Sequence, residues 1–173
     1  MIRRLHIGGK YPTPGWEILN AVDGPHVNHH CNAKDMSIFP DSSFNDIYAS
    51  HVLEHFDYLY ELPTVLAEWN RVLKPFGRLY VSVPDLEILS LFFLYKQASE
   101  SDHFEIMRMI FGGHTDIYDY HLIGFNESIL KGYLATAGFG MFKRVDEFGM
   151  FPDNSCYKIN DRLISINLIA KKI

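Results

Sequence analysis

The chain has 173 residues, enough for one domain around a single core and short for two, so residues 1–173 are read as a single domain. Apolar residues make up 47%, and a formal charge of −5 argues against a broad electrostatic footprint, so no nucleic acid partner is expected. Two cysteines make no disulfide framework, no secretory signal precedes the first strand-like segment, and the longest apolar run contains Glu87 and is too short for a bilayer; the expectation is a reduced, cytoplasmic protein without membrane insertion.

Residues 3–7 (RRLHI) read as a first strand running into Gly8-Gly9; glycines at a strand end mark a sharp turn with close backbone approach. Residues 16–19 make a second short strand, and residues 26–31 a third between Gly24-Pro25 and Asn32. Asp41-Ser42-Ser43 is turn chemistry ahead of a fourth strand over 46–50. Over 62–73, Leu62, Val65, Leu66, Trp69, Val72 and Leu73 recur at three- and four-residue spacing, one apolar helical stripe. Pro63 falls in its first turn and Pro75 just past its end, where proline is tolerated. Phe76-Gly77 turns the chain into the clearest strand, 78–83. Asp85 is placed to cap a helix through about residue 94, and another helix covers 104–111 up to Gly112-Gly113. Asn126 reads as the N-cap of a helix with the stripe Ile129, Leu130, Tyr133, Leu134 and Ala137, closed by Gly138. Strands over 142–147 and 163–171 finish the chain, the last alternating Ile164, Ile166, Leu168 and Ala170 on one face. This order predicts a largely parallel sheet with an antiparallel last strand and a ligand beyond the carboxyl ends of its strands.

Several clusters carry chemistry. His51-Val52-Leu53-Glu54-His55 matches the His-x-x-Glu-His pattern of inverted zinc proteases, which needs both histidines on one helical face and a third ligand downstream. Directly behind a strand, it reads instead as a strand-to-helix turn in which Glu54 and His55 bond backbone. His29-His30-Cys31 has no second pair to complete a tetrahedral set, so no metal is expected. His114-Thr115-Asp116-Ile117-Tyr118-Asp119-Tyr120-His121 lies in a loop between helices. It can bind or deprotonate a polar acceptor, with His121 as general base, or simply form a solvated Asp-turn. Asp85 divides between helix cap and acceptor contact. Gly8-Gly9 lacks the third glycine of a dinucleotide fingerprint, position 12 being Pro, which speaks against hydride transfer. Phe92, Phe93 and Tyr95 read as packing, or, if exposed, as a homodimer contact.

The segment 39–83, FPDSSFNDIYASHVLEHFDYLYELPTVLAEWNRVLKPFGRLYVSV, resembles the fourth strand, following helix and fifth strand of class I S-adenosylmethionine-dependent methyltransferases. Members of that superfamily typically read PFPDNSFD, a strand, VLEH, a helix ending RVLKPGG, and a strand; the type 11 group of small bacterial enzymes is the nearest likeness. Leu5-His6-Ile7-Gly8-Gly9 is similar to the family's first motif, a strand followed by Gly-x-Gly. The resemblance spans about the first half of the chain.

It implies a Rossmann-like α/β fold: a seven-stranded, mostly parallel sheet with an antiparallel last strand and helices on both faces. It also implies S-adenosylmethionine as cofactor and methyl transfer to a small-molecule or saccharide-like acceptor. The Gly8-Gly9 turn would let backbone approach the amino acid end of the cofactor, a polar group ending the second strand would hold the ribose, and one after the third would reach the adenine. Onto that path fall Gly8, Gly9, Lys10, Asn20, Asn32, Ala33, Ser50 and His51, with His121 and Asp85 on the acceptor side.

Four positions depart from the pattern. Lys10 stands for the motif's second glycine, Asn20 for the acid at the ribose, Asn32 for the acid near adenine, and Asn45 for an Asp. Asn bonds a hydroxyl or amine without charge assistance. Lys10 could pair with the cofactor carboxylate or fill the pocket. The alternative these residues raise is a catalytically inactive binding or scaffold domain of the same fold.

Overall fold

The computed structural model describes residues 2–173. In chain order it has β1 Arg4–Ile7, β2 Glu17–Asn20, β3 His29–His30 and β4 Phe44–Ser50, then a single 3-10 turn at Leu53–His55. There follow α1 Glu61–Val72, β5 Leu73–Pro84, α2 Leu86–Phe93, α3 Glu100–Phe111 and α4 Glu127–Thr136. The chain closes with β6 Phe139–Val145, a 3-10 turn at Asn154–Cys156, a small hairpin of β7 Lys158–Ile159 and β8 Arg162–Leu163, and β9 Ser165–Lys172.

One seven-stranded sheet has the order β3-β2-β1-β4-β5-β9-β6. The strands from β3 to β5 pair in parallel, while β9 runs antiparallel to both β5 and β6. The order reverses direction at β1, which puts a crevice beyond the carboxyl ends of β1, β2 and β4. The expected α/β fold is therefore present, with the antiparallel last strand where the sequence put it. The third strand is much shorter than residues 26–31, because a turn at Gly24 and Asn28's side chain take up the backbone before it: Val27 N–H donates to the Gly24 carbonyl and Ile18 N–H to Asn28 Oδ1. The sixth strand starts earlier than expected, at Phe139. A register shift between Gly140 and Lys143, with Met141 at φ +52°, bulges β6 against β9.

Helical cover is unequal on the two faces. Alternation along β1, β4, β5 and β9 buries Leu5, Ile7, Ile47, Ala49, Leu79, Val81, Ile166 and Leu168 in one cluster with the stripes of α1 and α4. Trp69 of α1 is fully buried, and its indole N–H donates to the Ala33 carbonyl at 3.0 Å. The opposite face carries His6, Asp46, Tyr48 and Ser82, and the segments joining β1, β2, β3 and β4 contain no helix to cover it. Aromatic side chains do so instead: Phe151 lies 4.1 Å from the His6 ring and 4.5 Å from Tyr48, with Trp16 and Phe148 edge-on to Tyr48. Asp46 is buried but accepts from Arg78 at 2.7 Å and Arg4 at 3.2 Å, so its charge is compensated. Toward the carboxyl end of this face, α3 borders a cleft with Glu105, Arg108 and Met109. No described helix is long and apolar enough to cross a membrane.

Candidate active site

Two clefts meet over the carboxyl ends of β1 and β4. The first has a volume of about 930 Å³ and is bordered by Gly8, Gly9, Lys10, Asn20, Asn32, Ala33 and His51. The second, of about 740 Å³, shares Gly8, Gly9, Lys10, His51, His55 and Asp119 with it and adds Ser50 and His121. The sequence-predicted residues thus gather around one junction, except Asp85.

The two glycines serve different ends. Gly8 sits at φ +76°, a conformation L side chains rarely adopt, and a Cβ there would lie 2.9 Å from Val52 Cγ2. Its N–H donates to the Leu19 carbonyl, tying the β1 exit to β2. Gly9 instead makes room for His6, since a Cβ would come within 2.7 Å of its Nδ1. Burial pushes the His6 imidazole down to about 4, against a smaller pull upward from Asp153.

Asn20 is engaged. Its Nδ2 donates to the Gly9 carbonyl at 3.1 Å and its Oδ1 accepts from Val22 N–H at 2.9 Å. A carboxylate could not make the first of these bonds, so Asn holds the two loops together where an acid could not. The other amide hydrogen has no partner within the protein, and Asn20 borders the first cleft. Asn32 accepts from Lys34 N–H at 3.1 Å, an Asx turn that leaves its amide NH₂ unengaged among the protein's own hydrogen bonds. Lys10 is exposed on the rim of both clefts.

The His51-to-His55 motif does not form a helical zinc-protease site. His51 has φ +54°, and the residues behind it make a single 3-10 turn, so the two histidines do not share a helical face. His51 Nε2 meets Ser165 Oγ at 3.0 Å, and its Nδ1 lies 3.3 Å from Glu54 Oε1. His55 bonds backbone, as its Nδ1 meets the Tyr120 carbonyl at 3.0 Å. The Glu54 carboxylate, however, does not: it is 1% exposed and neither oxygen has a hydrogen-bond partner of good geometry. Burial alone would raise the Glu54 carboxyl, but the His51 contact and the nearby His51, His55 and His121 outweigh it and hold the group below the usual carboxylate range. Burial pushes the His121 imidazole down, against the pull of Glu54.

His121 reaches this cluster because its loop is docked. Leu122 N–H donates to the Glu54 carbonyl at 2.7 Å and His121 N–H to the Phe111 carbonyl at 3.0 Å. Gly112, at φ +91°, makes that approach possible: a Cβ there would sit 2.3 Å from the Asp119 carbonyl oxygen. The rest of the loop is largely self-bonded. Asp119 accepts from Thr115, Asp116 from Tyr118 N–H, and His114 stacks on Tyr120 at 4.0 Å. Residues 115–120 wall the first cleft.

Asp85 lies apart and borders neither cleft. Its carboxylate caps α2, accepting from Glu87 N–H at 3.1 Å, and pairs with Arg144 at 3.1 Å. His29 pairs with Glu17 at 2.8 Å, and His30 meets the Ala21 carbonyl. Sequence reasoning missed the 21–27 loop, which walls the first cleft, although Gly24-Pro25 marked a turn there. Glu54, singled out within the His-x-x-Glu-His motif, was read there as bonding backbone, and no local signal links it to His121.

Residues 18–81, from β2 through most of β5, match a family model described as a methyltransferase domain. A SAM-dependent methyltransferase from Archaeoglobus fulgidus superposes with TM-score 0.61 at 16% identity, over 99% of this chain and 86% of that one. A Burkholderia thailandensis 1,6-didemethyltoxoflavin-N1-methyltransferase with bound 1,6-didemethyltoxoflavin and S-adenosylhomocysteine gives TM-score 0.58 at 15% identity, over 99% and 71%. A Bordetella parapertussis protein described as a possible exported protein gives 0.60 at 12%, over 99% of this chain and 63% of that one, so the chain spans less than two thirds of that relative. At these identities the likeness is one of fold. No curated protein matches the chain significantly. The strand order and the match over residues 18–81, which runs through strands that build the crevice, make the chain similar in fold to S-adenosylmethionine-dependent methyltransferases.

Proposed function

We propose that this chain binds S-adenosylmethionine in the first cleft and transfers its methyl group to a small polar acceptor, saccharide-like or otherwise, entering from the second. The observation that carries the reading is the junction itself. Two clefts share the Gly8-Gly9 turn at the strand-order switch, and Gly8 has a conformation and a space that a side chain would fill.

The residues present fit the cofactor. Gly8 admits its amino acid end close to backbone, and Lys10 on the rim can meet its carboxylate. Asn20 offers its remaining amide hydrogen to a ribose hydroxyl. The free amide of Asn32, beside Ala33, faces the adenine end. When bound, the cofactor supplies an electrophilic methyl group on a sulfonium. What the protein adds is mostly positioning, holding the acceptor oxygen or nitrogen in line with that methyl. His121 borders the second cleft and is held at both sides by docked backbone, so its imidazole is the group to take the acceptor's proton. Ser50 and His51 complete the junction. Asp85 is left out of this chemistry, its carboxylate being engaged in capping and pairing.

Calorimetric titration with S-adenosylhomocysteine tests the cofactor half. Turnover of His121→Ala, measured beside its cofactor affinity, tests the acceptor half. Loss of on the order of a hundredfold in rate with unchanged affinity supports the base role; unchanged rate overturns it. A parent chain that fails to bind would leave the inactive scaffold, the reading that Asn20's engaged side chain favours. The homodimer expectation rests on Phe93 and Tyr95, which α2 and its exit leave exposed, and light scattering reads it.

A further inference from the structure

The Glu54 carboxylate poses a problem that methyl transfer does not answer. It is among the most buried acids of the described residues, and both oxygens lack a hydrogen-bond partner. An unpaired buried carboxylate costs several kcal/mol in a folded protein unless a cation or donor compensates it. What surrounds it is a set of imidazoles. Ligand atoms of Glu54, His55 and His121 all lie within 4.8 Å of one another. The His55 and His121 rings stand edge to face, with centroids 4.9 Å apart.

The outer partners of these rings matter as much as their spacing. His55 Nδ1 meets the Tyr120 carbonyl at 3.0 Å, which makes that nitrogen the N–H donor and leaves Nε2 with a free lone pair. A main-chain carbonyl behind the His55 imidazole is the arrangement that orients a histidine as a metal ligand. His51 Nδ1, 3.3 Å from Glu54 Oε1, supports the carboxylate from behind.

We propose that Glu54, His55 and His121 bind one divalent first-row transition-metal ion, with open coordination positions facing the second cleft. Two imidazoles and one carboxylate suit zinc, manganese or ferrous iron, and poorly suit magnesium or calcium, which prefer oxygen. Around an ion with bonds of about 2.1 Å, tetrahedral ligand atoms stand roughly 3.4 Å apart. The three ligand atoms, all within 4.8 Å of one another, lie near enough to converge on one ion. The ligand set closes only when residues 112–122 are docked on the 3-10 turn at Leu53–His55, so an ion here also locks that loop. Its open positions would take an oxygen-bearing acceptor, a hydroxyl or carboxylate. With an ion present, His121 holds it, and an acceptor hydroxyl there is acidified by the ion. The inference stands on the cluster's own geometry, not on cofactor binding.

The test uses chelator-treated full-length protein titrated with Zn²⁺ alone, followed by calorimetry and by thermal melting. The parent should take up one ion tightly and melt at a higher temperature with Zn²⁺. His121→Ala and His55→Ala should each lose at least 10- to 100-fold in affinity and most of the thermal gain. His30→Ala, at an exposed histidine away from the junction, should leave the tight site intact. Glu54→Gln is read only if it folds, and the two histidine variants stand without it. A parent with no tight site overturns the proposal, and so do histidine variants that bind as the parent does. Because S-adenosylhomocysteine is titrated separately, binding of that product without Zn²⁺ uptake would sink the metal site and leave the methyl-transfer reading standing.

Discussion

Replacing His6 by Phe should make the protein markedly more tolerant of mild acid. The imidazole is 8% exposed, its Nδ1 has no partner, and its ring packs on Phe151 and Tyr48. Burial holds it down at about 4, whereas an unfolded histidine titrates near 6.5. Above about pH 6.5 the ring is neutral in both states and native stability is unaffected by it. As pH falls through that value the unfolded chain takes up a proton that the folded protein refuses until about 4, so stability is lost across the window. The loss amounts to about 2 kcal/mol by pH 5 and about 3 kcal/mol in full. Phe keeps the ring and removes the titration. Urea unfolding of parent and His6→Phe at pH 7.5, 6.0 and 5.0 measures it. The parent's midpoint should fall by about 1 M more than the variant's between the first and last pH, for a slope of about 2 kcal/mol per molar. Parallel losses in the two proteins would refute the argument and show that His6 gains solvent or a donor when charged.

Three further outcomes test residues assigned to the junction and one left out of it. Gly8→Val should abolish S-adenosylhomocysteine binding in calorimetry and lower stability by about 1–2 kcal/mol, because φ +76° and Val52 oppose a branched side chain; parent-like affinity would put the cofactor elsewhere. Lys10→Met should weaken binding and reduce its salt dependence if the ammonium meets a carboxylate, whereas Lys10→Gly should strengthen binding if the stem obstructs the cleft; titrations at low and high salt separate these, and unchanged affinity in both removes Lys10 from the site. Asp85→Ala should cost about 1–2 kcal/mol by loss of the α2 cap and of the Arg144 pair, with cofactor affinity unchanged; a large loss of affinity would return Asp85 to the site.

The parts of this fold that were legible in the sequence are those written in local patterns. The α1 stripe, the capping side chains of Asp85 and Asn126, and the alternation along β9 each depend on residues a few positions apart. The β1-to-β2 path of the site was legible for the same reason, since a glycine at a strand end states its backbone requirement directly. What stayed hidden depends on distant partners. Residues 148–157 have no periodic pattern, yet Phe151 and Asp153 cover His6 and Tyr48, more than a hundred residues away in sequence. Asn20 was expected to face a ligand, but half of its bonding capacity serves Gly9 and Val22, which only the folded loops bring near. Glu54 and His121 stand on separate elements, and their proximity comes from Gly112 and the Leu122-to-Glu54 bond rather than from any motif.

The bulge in β6 bears on how the molecule behaves at high concentration. β6 is the outer strand at one end of the sheet, with one side of its backbone unpaired. A flat strand in that place would recruit the corresponding strand of another molecule and seed aggregates. Met141 at φ +52° breaks the ladder, while exposed Lys143 puts positive charge on the same stretch. A second copy approaching edge to edge meets a kinked backbone and like charges. Straightening the strand by deleting one residue of the bulge would trade that solubility for a continuous ladder.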